Sequence, residues 1–97
     1  MHVFYLWLSS AELAVQRVSL RVRGGGHAVP EATIRLRYNR SLCNFFDLYK
    51  PIATTWQIYD NSLEGLVRCI AMGGENRTES IVDAASWQIM NEGQARE

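Results

Sequence analysis

Lysine is nearly missing from this sequence: of ten basic residues nine are arginine, and Lys50 stands alone. It is followed by Pro51, so no Gly-Lys-Ser/Thr triplet occurs, and no Walker-type loop can cradle a nucleotide within these 97 residues. Long apolar runs are also missing. The longest plausible one, Val3–Leu8, falls far short of the roughly 20 residues a membrane span needs. No basic residue other than His2 precedes it, which argues against an export signal and for a cytoplasmic protein. Net charge is zero, which argues against bulk binding to nucleic acid or membrane. The two cysteines, Cys43 and Cys69, lack Cys-x-x-Cys or Cys/His spacing; reduced thiols are expected and no metal site is indicated.

What is present is unevenly distributed. Arg17, Arg21, Arg23, Arg35, Arg37 and Arg40 fall in one 24-residue window with a single acid, Glu31, so that window carries six charges against one, a local +5. Arginine in place of lysine points to geometry, because the guanidinium fork pairs bidentately with phosphate oxygens and stays charged at any pH.

The pattern predicts one α/β unit. Residues 1–8 read as a core strand, apolar on both faces, of the kind covered by helices on both sides. Residues 9–50 read as a helix–loop–helix. Ser9 and Glu12 open the first helix as a capping box, Leu13, Ala14 and Val18 turn to the sheet, and Gly24-Gly25-Gly26 ends it near Arg23. Pro30-Glu31 opens the second, whose apolar stripe from Ile34 to Tyr49 runs to Lys50-Pro51. Residues 55–73 read as strand–turn–strand with the turn beginning at Asp60-Asn61-Ser62, and Gly73-Gly74 as a break. Residues 78–90 read as a C-terminal helix turning Ile81, Val82, Ala85 and Ile89 inward, followed by a frayed polar tail from Asn91. A twice-buried first strand needs neighbours that one hairpin cannot provide, so the domain is expected to be partial. Its uncharged open edge should invite pairing with another copy.

Two arginine-lined helices joined by a glycine hinge form a device that can close over a phosphoryl group. The bland alternative is a solvated helix face. The stretch Arg17-Val18-Ser19-Leu20-Arg21, then Gly25-Gly26-His27-Ala28-Val29-Pro30-Glu31, then Ile34-Arg35-Leu36-Arg37-Tyr38-Asn39-Arg40-Ser41-Leu42 resembles the lid of zeta-toxin P-loop kinases. It is most similar to the stand-alone bacterial branch known as predicted ABC-type ATPases. The similarity continues through Asn44-Phe45-Phe46 and Tyr59-Asp60-Asn61-Ser62 to Trp87. It departs from the family at Leu63-Glu64-Gly65-Leu66, where a shorter link containing proline is usual, and at His27, where distant members have arginine.

The resemblance implies the C-terminal half of an ATP- and Mg²⁺-dependent kinase of small molecules, of which UDP-N-acetylglucosamine is one. The Walker half would lie outside these residues, an antitoxin would be a partner, and the isolated chain would be inactive. By position it implies catalytic roles for Arg17, Arg21 and Arg37. Arg35, Arg40 and His27 would bind phosphate on the lid, and Asp60, Asn61 and Ser62 would border the adenine. From the residues alone, His27 is more often a polar hinge residue than a phosphate ligand, Asp60–Ser62 equally a hairpin connector, and Asp47 a surface acid. A non-enzymatic module that holds RNA or another anion, or an inactive remnant, are the alternatives. Tyr38, Phe45 and Phe46 lie on the apolar stripe rather than presenting stacking platforms.

Overall fold

The computed structural model describes residues 1–63 and 65–95. Strand β1 (His2–Trp7) leads through Leu8-Ser9-Ser10 into helix α1 (Ala11–Arg23), and a glycine loop joins it to α2 (Glu31–Asn44). A π-helical turn (Phe45–Tyr49) prolongs α2. Strands β2 (Thr55–Leu63), β3 (Leu66–Gly74) and β4 (Arg77–Ile81) then form a meander, and helix α3 (Ala84–Ala95) follows. The fold is α/β, with one mixed sheet in the order β1-β2-β3-β4. β1 runs parallel to β2, from His2 beside Thr55 to Trp7 beside Asp60, and the other pairs are antiparallel.

The helices lie on one side of this sheet. Trp56, Ile58 and Ile70 from the strands pack with Leu42 and Phe45 of α2 and Met90 of α3 in a single core. Phe45 lies 5.1 Å from the Tyr5 ring and 5.9 Å from Trp56, which in turn stacks on Trp87 at 5.9 Å. The π turn serves this packing. Its wide loop, closed by Lys50 N–H donating to the Phe45 carbonyl at 2.7 Å, turns both Phe45 and Phe46 toward the tryptophans. The expected unbroken α-helix to Lys50 is thus interrupted where the aromatic residues crowd.

Three further expectations are corrected. β1 is covered on one face only: Trp7 is buried and Val3 and Tyr5 are half-buried, whereas Phe4 and Leu6 are 65% and 59% exposed. Next, α1 packs chiefly on α2 instead of the sheet and has no fully buried residue. Finally, residues 77–81 are strand β4, and the last helix starts at Ala84 and continues through Ala95, past the expected end at Met90. Ile81, Val82 and Ile89 are therefore exposed, as is Ala85, and the inward positions are Trp87 and Met90.

Gly73-Gly74 explains the misplaced helix. The pair lies inside β3, where a Cβ on Gly73 would stand 2.0 Å from the Arg77 carbonyl oxygen and 2.6 Å from the Trp56 ring. Glycine here permits close approach, not a break. The turn comes at Glu75-Asn76, both with positive φ (52° and 62°), which is the backbone of a tight two-residue hairpin. The capping residue of α1 also differs: Ser10 Oγ accepts from Leu13 N–H at 3.2 Å, and Ser9 serves the site described next.

Candidate functional site: an arginine crevice at the strand ends

In open α/β sheets, ligands bind outside the carboxyl ends of parallel strands, where the following loops diverge. β1 and β2 supply such an end. β1 stops at Trp7, level with Asp60, and β2 runs on through an irregular stretch from Asp60 to Leu63. The expected turn at Asp60-Asn61-Ser62 is thus still strand, and the chain reverses beyond Leu63, which pairs with Leu66. Gly65 takes a φ of 77°. Glu64 of the unusual link lies outside the described residues.

Ser62 organises the crevice. Its hydroxyl accepts from Ser9 N–H at 2.9 Å, its N–H donates to Asp60 Oδ1 at 2.8 Å, and its carbonyl accepts from Arg17 Nη2 at 3.0 Å. Asp60 is buried and its other oxygen accepts from Arg68 Nη2 at 3.2 Å. It braces the strand end. Tyr38 anchors α2 to the same point, its phenol donating to the Leu8 carbonyl at 2.5 Å. Burial, followed by the neighbouring Tyr5, pushes the Tyr38 hydroxyl up to about 12, so it remains a donor at any ordinary pH.

Around Leu8 stand the arginines. A cavity of about 270 Å³ is lined by Arg21 and Arg37 with Leu8, Tyr38 and Val29. An adjoining one of about 510 Å³ is lined by Arg17 and Arg21 with Leu8, Asn61 and Gly65. The structure thus brings together Arg17, Arg21 and Arg37 with Asn61 and Ser62. Neither Arg21 nor Arg37 is ion-paired among the described residues, which leaves both guanidinium groups open to an anion.

The other three lid residues lie elsewhere. Arg35 is held between Glu12, at 2.8 Å, and Glu31, at 3.2 Å, tying α1 to α2. The hydrogen bond from Arg35, followed by a backbone hydrogen bond, keeps the Glu12 carboxyl below its ordinary range. Arg40 lines a groove along the edge of β1. His27 is exposed in the loop between α1 and α2 and lines neither cavity, although Val29, two residues on, lines the smaller one.

Sequence reasoning missed Ser9 and Tyr38. Ser9 was visible only as a capping residue, and Tyr38 only as a member of the apolar stripe. No group of three or more His, Cys, Asp or Glu side chains among the described residues could hold a metal ion. Cys43 and Cys69 form no disulfide. No helix of the described residues is long and apolar enough to cross a membrane. Compared with protein-family models, with curated proteins and with solved structures, the chain matches none.

Proposed function

We propose that this chain is the lid-bearing C-terminal part of an ATP-dependent small-molecule kinase of zeta-toxin type, with a sugar nucleotide such as UDP-N-acetylglucosamine as acceptor. The observation that supports this is the pair of unpaired guanidiniums, Arg21 and Arg37, brought from two helices to one cavity at the ends of parallel strands. The donor set suits phosphate: planar, fixed in charge, and able to bind two oxygens at once. ATP, when bound, supplies the transferable phosphoryl group. The residues of this chain bind and neutralise it: Arg21 and Arg37 from the lid, and Arg17 from a position already fixed against Ser62. Charge spread over the oxygens during transfer is met by donors in place beforehand. The hinge Gly24–Gly26 joins the two helices, and Gly25 has a φ of 104°. A magnesium ligand is assigned to none of these residues, nor is a catalytic base.

The test is a hybrid enzyme. The chain is joined to the Walker-bearing N-terminal half of a zeta-type kinase, and transfer from ATP to sugar nucleotides is followed by phosphorus NMR. Turnover is expected, and Arg37→Ala should lower it by about 10²- to 10³-fold. A well-folded hybrid whose turnover is unchanged by Arg37→Ala and Arg21→Ala would return these residues to a solvated face. The 97-residue chain alone should neither hydrolyse ATP nor bind it better than about millimolar, by calorimetry with Mg²⁺.

A further inference from the structure

We propose that the free edge of β1, with the groove beside it, takes up an extended segment of a second polypeptide by strand addition, and that this segment carries carboxylates facing Arg37 and Arg40. The two edges of the sheet differ sharply. At one end β4 is short, joined to β3 across a bulge, and carries Arg77 and Glu79 among five exposed residues. Those are features that discourage another strand. At the other end β1 offers His-Val-Phe-Tyr-Leu-Trp: six regular residues, about 20 Å of backbone, with no acid, no lysine or arginine, no proline and no bulge. Its outer row of N–H and C=O groups has no strand beside it among the described residues.

The groove is a cavity of about 620 Å³ between this edge and one flank of α2. Val3, Tyr5 and Phe45 give it an apolar floor, while Arg37, Arg40 and Asn44 form its wall. Arg37 and Arg40 stand three residues apart on one helical flank, and Ser41 braces that flank by donating to the Tyr5 hydroxyl at 3.2 Å. No acid lines the groove, and neither arginine is ion-paired among the described residues. A strand satisfies the backbone edge and an apolar side chain the floor; a free phosphate would satisfy neither. The wall chooses the sign of the strand's charge. A second copy, paired edge to edge about a two-fold axis, would set Arg37 and Arg40 of each against those of the other, which disfavours the self-pairing expected from the open edge alone. Arg40 thereby gains a role in docking, separate from the crevice at the strand ends.

The inference does not rest on the kinase reading, since its test reads binding and not transfer. Three labelled peptides serve as probes: an alternating valine–threonine octamer with two glutamates at each end, the same octamer with lysines at the ends, and the glutamate version interrupted by proline. Fluorescence anisotropy against the 97-residue chain should show the uninterrupted acidic peptide binding about tenfold tighter than the lysine peptide at low salt. The preference should shrink at half-molar salt and disappear in Arg40→Glu, whose side chain is exposed and whose fold is therefore retained. Phe4→Glu, which places a like charge on the edge strand, should weaken the acidic peptide. Binding of none of the three, equal binding of the acidic and lysine peptides, or equal binding of the proline-interrupted one would overturn the proposal. So would light scattering that finds a dimer dissociated by Phe4→Lys, because the occupant would then be a second copy.

Discussion

Tyr38 shows how much of this site depends on one polar atom. Its ring belongs to the apolar stripe of α2, which periodicity revealed, but its hydroxyl reaches the Leu8 carbonyl, which periodicity cannot reveal. Tyr38→Phe should keep the fold and cost about 1 kcal/mol in urea denaturation, since a part-buried carbonyl loses its donor. In the hybrid kinase the same change should lower turnover by loosening α2 over Arg37's cavity. Asp83 is a second such residue. Its two oxygens accept from the Ser86 N–H at 3.1 Å and the Ser86 hydroxyl at 2.8 Å, capping α3. The Ser86 N–H and then its hydroxyl hold the Asp83 carboxyl below its ordinary range. A carboxyl depressed in the folded state contributes its full stability above the unfolded value, near 4, and loses it as pH falls through the lower folded value. Asp83→Ala should cost about 1 kcal/mol at neutral pH. Asp83→Asn should keep much of the cap while removing its share of the loss below about pH 4, which denaturation at pH 7 and pH 3 would separate.

At the scale of elements, the sequence was informative where one physical signal governed and misleading where two competed. The first strand, helices α1 and α2 and the β2–β3 hairpin follow from apolar patterning and from the breaks at Gly24 and Pro30. The end of β3 does not. Gly73-Gly74 looks like a terminator in one dimension, and only the Arg77 carbonyl and the Trp56 ring lying against Gly73 make glycine a packing requirement. Gly73→Ala should therefore destabilise by about 3 kcal/mol or more and separate β4 from β3, read as early loss of hydrogen-exchange protection in β4. Gly25→Ala makes the useful contrast. Nothing lies within 4 Å of a Cβ there, but the φ of 104° is unfavourable for alanine, so its cost is backbone strain alone. The site was legible to the same degree. Charge clustering identified the arginines, but their separation into a crevice group, a helix tie at Arg35 and a groove residue at Arg40 depends on rotation around each helix. Six arginines within 24 residues looked like one surface; five of them occupy three places, and Arg23 is exposed at the end of α1 apart from all three.

Over the whole molecule, the accessible surface is 6359 Å², against about 5,600 Å² for a free-standing protein of 11.0 kDa. The radius of gyration is 14.0 Å, against about 12.5 Å for a compact domain of this length. Both excesses agree with a sheet covered on one face and with apolar side chains such as Phe4, Leu6 and Ile52 left in water. Low stability follows, together with a strong response to anything that covers the surface. An acidic strand peptide at a hundred times its dissociation constant should raise the melting temperature by roughly 10 to 20 °C, measured by calorimetry. No rise at saturation would mean that the peptide binds the unfolded chain equally well.

The contrast between the two flanks of the sheet also limits how the molecule can grow. A strand array propagates only through units that are receptive on both sides, each accepting one neighbour and offering itself to the next. Here β1 is receptive, whereas β4, short and charged, ends the array. In any assembly built by strand addition this chain is therefore a terminus and not a link. It can close off one junction, and a fibre made of it would have nowhere to continue.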